Sequence, residues 1–235
     1  MRAPLRLILG AVLAMAAAGC EVGDTGDDGD NNDDGGDSDG GDGGGDGGGI
    51  TGLSIEWRGQ PAALPGQISA DLTITRAVFL LDDLRLVSDG GQLDLQLDRL
   101  EWAAGVVPPT LTVEGPSPGL YSRLLFGLEG DDETSPVQYG YEIAGSVLVN
   151  GNTRQFLIRD HGELALMLQF SLTLSAGQTM VIPVRFELDK IVGVVNFEQA
   201  SSSNERYTID NNNNSGQLAA VRTAVRAAIG ITGPS

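Results

Sequence analysis

Leu164-Ala165-Leu166-Met167-Leu168-Gln169-Phe170-Ser171-Leu172-Thr173-Leu174 sets six large apolar side chains at every second position, with Ala, Met, Gln, Ser and Thr between them. Strict alternation over eleven residues is the signature of a strand with one buried face, because successive side chains point to opposite sides of a pleated sheet. The next stretch repeats it: Met180, Ile182, Val184, Phe186 and Leu188 alternate with Thr179, Arg185, Glu187 and Asp189. Ala176-Gly177-Gln178 lies between as a turn, so the two runs are expected to form an antiparallel hairpin. Pro183 falls on the outward side of the second run. Lacking an N–H, it predicts an edge position or a bulge there.

Working outward, strands are expected over Leu53–Arg58, Ile68–Thr75, Ala77–Val87 with an irregularity at Asp82-Asp83, and Leu93–Leu97. Further strands are expected over Thr110–Glu114, Leu120–Leu128, Tyr139–Val149, Thr153–Ile158 and Ile191–Phe197. Asn150-Gly151-Asn152 marks a tight turn, since Asn and Gly accept positive φ. About eight to ten short strands with Gly and Pro turns predict an all-β antiparallel sandwich, with a closed β-barrel as the alternative. After a polar stretch containing Asn211–Asn214, residues 217–229 turn helical: Leu218, Val221, Val225 and Ile229 share a stripe. Asn214 with Gln217 is the expected cap and Gly230 the stop.

The N-terminus has another character. Arg2 and Arg6 precede an apolar run from Leu7 to Ala18, closed by Gly19-Cys20. About 12 residues rise roughly 18 Å, short of a hydrocarbon core of about 30 Å, so the run reads as a cleaved signal over residues 1–19. Ala17-Ala18-Gly19-Cys20 resembles the lipobox of bacterial lipoproteins, with Ala17 where Leu is commoner. The resemblance implies cleavage between Gly19 and Cys20 and acylation of Cys20. Cys20 is the sole cysteine, so the exported domain is expected to carry neither disulfides nor thiol chemistry. Residues 20–49 follow as a tether: 13 Gly, ten Asp and one Glu stand in the 29 positions after Cys20, with no basic residue. Such a composition cannot bury a core, and as a coil it spans about 30 Å. Of the net charge of −18, the tract carries −11 and residues 50–235 carry −9, offset by +2 in the leader. No basic patch is left to meet phosphates, which excludes nucleic acid as a partner.

Several motifs fail on context. Asp24-Thr25-Gly26 spells the aspartic-protease triplet, yet a solvated coil cannot hold two carboxylates sharing a proton. Gly36-Asp37-Ser38-Asp39-Gly40 has serine-protease spelling, but His161 is the only histidine. Asp30, Asn32, Asp34 and Gly35 open like a calcium loop, whose twelfth position here is Gly41 rather than Glu. In the domain of residues 50–235, His161 sits in Arg159-Asp160-His161-Gly162-Glu163 and reads as an exposed turn histidine. Asp131, Asp132 and Glu133 are the weak calcium candidates, with Asp82-Asp83 a second acidic pair. Trp57, Trp102, Tyr139 and Tyr141 suit core packing better than a sugar-stacking platform. No catalytic residue, resident metal or cofactor is expected.

Three segments carry a wider resemblance: the alternating run Asp71–Ser88, Pro118-Gly119-Leu120-Tyr121-Ser122-Arg123, and the turn Ser175-Ala176-Gly177-Gln178. Their order resembles bacterial β-sandwich lipoproteins of a widespread domain family of unknown function, similar to transthyretin-like or carboxypeptidase-regulatory-like sandwiches. The layout is also similar to periplasmic copper-associated proteins of the methanobactin-system type. Their metal chemistry needs histidines that this chain lacks, so that function is not carried over. The expectation is a lipid-anchored, non-catalytic envelope protein, structural or interacting with an envelope protein or glycan; the alternative is a module binding calcium or envelope glycan. Glu21, rather than Asp, after Cys20 favours the outer membrane. An acidic tract after the lipidated cysteine also resembles surface-export signals.

Overall fold

The computed structural model describes residues 51–130 and 136–233. The leader, Cys20, the acidic tract and Asp131, Asp132 and Glu133 lie outside the described residues. The chain begins with β1 (Gly52–Gln60), β2 (Gly66–Ser69), β3 (Leu72–Ser88), β4 (Gly91–Asp94), β5 (Arg99–Trp102), β6 (Leu111–Val113) and β7 (Gly119–Leu128). It continues through β8 (Tyr141–Val149), β9 (Asn152–Asp160), β10 (Leu164–Leu174), β11 (Thr179–Glu187), α1 (Leu188–Gly193), β12 (Ser202–Ser203), β13 (Arg206–Ile209), α2 (Ser215–Ala228) and β14 (Ile229–Ile231). The all-β sandwich with a short C-terminal helix holds, and the sheets are open rather than closed into a barrel.

β3 is the spine of the larger sheet. Along one edge it meets β2, β5 and β4; along the other it meets β8 through Leu72–Phe79 and then β7 through Leu81–Ser88. The sheet therefore forks, one wing running β7–β10 and the other β8–β9–β13–β12. β4 and β5 keep a single register against β3, with Arg85 opposite Asp94 and Leu80 opposite Arg99. They are two halves of one partner strand, interrupted at Leu95–Asp98. The interruption faces Leu81–Leu84, where Asp83 has φ 51° and the pairing with β7 slips. The irregularity expected at Asp82-Asp83 is thus the point where the fork opens.

The smaller sheet has the order β14–β11–β1–β6, with β1 and β11 parallel. Leu164 to Leu174 and Met180 to Leu188 bury the faces their alternation predicts. They do not, however, form the expected hairpin. β10 pairs β7, while β11 crosses to the facing sheet and pairs β1 and β14. Alternation reports which face of a strand is buried, and an arch between two facing sheets buries the same faces as a hairpin. Pro183 is also corrected: it is buried in an interior strand, not at an edge. Its carbonyl accepts from Thr232 N at 3.1 Å, just past the end of β14, so its missing N–H falls on that side, where no ladder bond is required.

Elsewhere period and length decide the differences. Ile191–Phe197 is not a strand: Leu188, Ile191 and Val192 are buried at helical spacing in α1. Ile68–Thr75 is divided by a turn at Ala70-Asp71. Helix α2 stops at Ala228, because Ile229–Ile231 pairs with Val184–Phe186 as β14, taking Gly230 into a strand. Asn214 precedes the helix but does not cap it through its side chain. At φ 50° that amide is turned away, bonding Ser201 N, Ser201 O and Thr208 O instead.

Side chains alone join the sheets at their centres. Phe186 of β11 meets Phe79 of β3 at 4.9 Å and Trp102 of β5 at 5.1 Å between ring centroids, and Trp57 of β1 at 6.3 Å. Phe79 and Phe186 are fully buried. Truncating such a residue removes transfer energy and leaves a cavity, about 3–5 kcal/mol together. Phe186→Ala is expected to lower the thermal midpoint by roughly 10 °C, at 2–4 °C per kcal/mol for a chain of this size. Gly145→Ala tests the β3–β8 contact separately: its new methyl would collide with Thr73 O and the Phe156 ring. A loss of about 1–3 kcal/mol is expected in a denaturant titration.

Candidate functional site

At the end of β9 the chain reads Arg159-Asp160-His161-Gly162, and both charges of this turn are drawn into one polar knot. Asp160 has no exposed surface. An isolated carboxylate there would be very costly, and the structure surrounds it with donors. Arg222, from α2, forks onto it: Nε donates to Oδ2 at 2.6 Å and Nη2 to Oδ1 at 2.7 Å. Gly162 N donates to Oδ1 at 3.0 Å and the Tyr141 hydroxyl to Oδ2 at 3.4 Å.

A second carboxylate lies alongside. Asp210, also buried, follows β13 and accepts on Oδ1 from Asn212 N at 2.9 Å, Asn213 N at 2.7 Å and Asn213 Nδ2 at 2.9 Å. Its Oδ2 accepts from Arg159, Nη2 at 3.0 Å and Nε at 3.2 Å. Asn211 links the two centres: its Oδ1 accepts from Arg222 at 3.3 Å, and its Nδ2 lies 2.6 Å from His161 Nε2. The Arg159 guanidinium rests 4.4 Å from the Tyr139 ring centroid.

The electrostatics follow from this packing. Burial pushes the Asp160 carboxyl up, but the Arg222 hydrogen bonds, the Gly162 N–H and the Arg222 charge outweigh it and hold the group below the ordinary carboxylate range. Asp210 is lowered in the same way, burial opposed by Asn213, Asn212 and Arg159. Burial, reinforced by the Asp160 charge, raises the Tyr141 hydroxyl far above its usual value, so it stays protonated. Asp160 is therefore an ionised acceptor with both oxygens engaged, and Tyr141 a fixed donor. Chemically the knot is a clasp that fastens β8, β9, the Asn211–Asn214 segment and α2 to one another.

No protein-family model and no curated protein matches this chain. Among solved structures, MbnP from Methylosinus trichosporium aligns over 66% of this chain and 81% of its own, at 10% identity and a TM-score of 0.40.

The other expected groups disperse. Trp57, Trp102 and Tyr141 are core residues, and Tyr139 alone of the proposed sugar platform is half-exposed, with Arg159 over its ring. His161 does lie in a turn, but half-buried against Tyr139 and bonded to Asn211 rather than freely exposed. Asp82 and Asp83 are exposed, and Asp83 pairs with Arg85, which also reaches Asp94. These residues line a groove of about 350 Å³ with Asp98. No cluster of three metal-ligating side chains occurs among the described residues. Arg222, Asp160 and Asp210 escaped the sequence reading because nothing in their spacing announces a partner 62 or 51 positions away. The signal present was weaker: an Asp ahead of four asparagines, and an Arg-Asp pair entering a turn.

Arg222→Leu would leave Asp160 buried without its fork. Arg222 is 37% exposed, so water can replace part of it, and the loss is expected to be about 2–3 kcal/mol, or roughly 5–10 °C. Because both carboxyls titrate lower in the folded state, their stabilisation is complete above about pH 4 and lost as pH falls through the folded values. The denaturant midpoint should stay level from pH 7 to about 5 and then decline, less steeply in Asp160→Asn. A midpoint that rises on acidification would contradict the clasp.

Proposed function

We propose that this chain is a lipid-anchored, non-catalytic lipoprotein of the bacterial cell envelope, at the outer membrane, whose β-sandwich has a structural or protein-interaction role. The observation that carries the reading is the sole cysteine, at the end of a basic and apolar leader and ahead of an acidic, glycine-rich tract. An acyl anchor followed by a spacer of about 30 Å suits a domain that works at a distance from a membrane surface. The domain itself adds support. Its buried carboxylates are committed to the clasp, its large rings to the core, and its exposed apolar side chains include Met167 and Leu120 on the outer face of β10 and β7. Neighbours on that face, Leu125 opposite Met167 and Gly127 opposite Ala165, extend an uncharged surface suited to protein contact, bounded by Arg123 opposite Gln169.

Cys20→Ser should move the protein from the membrane to the soluble fraction of fractionated cells while its thermal midpoint is unchanged. Membrane retention of the variant would overturn the anchor. Thermal unfolding of the full chain should not respond to millimolar calcium or to envelope glycans. A shift of several degrees with either would replace the interaction reading by a ligand-binding one, since a ligand that binds only the folded state stabilises it by mass action.

A further inference from the structure

We propose that β10 is a pairing edge, along which two copies of this chain join antiparallel about a two-fold axis and continue the larger sheet from one copy into the other. The proposal names the partner in the interaction role above and rests on that reading.

Unpaired strand edges expose rows of N–H and C=O groups, and folded proteins blunt them with short strands, charge, Pro or covering segments. Most edges here obey this. Among the described residues, β12 has two residues, β6 and β14 have three, and β2, β4 and β5 have four each. β10 has eleven. It is the terminal strand of its sheet, and no backbone hydrogen bond joins it to any described strand except β7. It contains no charged residue, no Pro and no Gly, and charge is absent from Leu164 through Val184. Its protection is limited to an irregularity between Gln169 and Leu172, which leaves Leu164–Gln169 in unbroken register, and to the three-residue β14 of the facing sheet, which lies close to it without pairing.

Charge selects the partner. Residues 50–235 carry −9, so two copies repel over most of their surfaces and can approach only where charge is missing. On the outer face the neutral strip is Ala165, Met167 and Gln169 at the edge with Leu125 and Gly127 of β7 beside them; it is bounded by the exposed Arg123 of β7, opposite Gln169, and by Asp82 and Arg85 on β3. A two-fold axis sets this neutral strip against itself, and that self-complementarity is what an isologous contact requires. A strongly charged partner would find no charge on β10 itself to recognise. With the regular run centred between Leu166 and Met167, the axis passes near Met167, which is 53% exposed.

The test uses the full chain, purified from whichever cell fraction holds it. Light scattering should give twice the chain mass for the parent and the single mass for Met167→Lys, whose exposed position leaves the thermal midpoint within a few degrees. A short bis-maleimide should cross-link Met167→Cys into dimers at least fivefold more than Ser203→Cys, on the opposite edge strand β12. A monomeric parent, a dimer indifferent to Met167→Lys, or equal cross-linking of the two cysteine variants overturns the pairing. The two readings fail separately: a parent found in the soluble fraction sinks the anchor, and a monomeric mass sinks the pairing.

Discussion

The contact between Phe79 and Phe186 holds the two sheets in register, and much of the structure follows from it. Each ring belongs to an interior strand of its own sheet, β3 in one and β11 in the other, and Trp57 and Trp102 close around Phe186. With no cysteine among residues 51–235, no disulfide can take over this task. Cohesion between the layers is therefore a matter of shape: interlocked rings, with little tolerance for lost volume. The forked larger sheet makes this more demanding. Its two wings leave the same edge of β3, and the aromatic group sits close to where they part.

The polar clasp does for the C-terminal third what the rings do for the layers. The segment from β12 to α2 contributes few long strands and has little sheet pairing to hold it. Arg222 and Arg159 supply the fastening from two directions, one from the helix to Asp160 and one from β9 to Asp210. Two buried carboxylates thus specify where the helix lies along β9, a use of buried charge for position more than for net stability.

What could be read from the residues alone divides along physical lines. Burial was legible wherever alternation ran long: the predicted inward faces of Leu164–Leu174 and Met180–Leu188 are the observed ones, and the irregularity at Asp82-Asp83 is real. Pairing was not, because a strand's pattern describes its two faces and says nothing about what lies beside it. Hence the supposed hairpin is an arch. Short elements such as β12, β13 and β14 have too few residues to show a period, and Ile191–Phe197 shows how an apolar run of that length serves a helix as readily as a strand. The clasp was half visible. His161 and the asparagine run stood out as polar turns, while their joint purpose depends on Arg222, an unremarkable helical arginine until the chain folds.

The parallel pairing of β1 with β11 has a consequence in time. Gly52 lies beside Thr179 and Gln60 beside Glu187, and β14, ending at Ile231, completes the far side of β11. The first strand of the domain has only the three residues of β6 beside it until β11, some 120 residues further on, exists, a separation that makes closure entropically slow. Until β11 has been synthesised, the smaller sheet has no interior strand and lacks Phe186, its contact with the other layer. A nascent chain of this topology leaves its smaller sheet open for most of its synthesis.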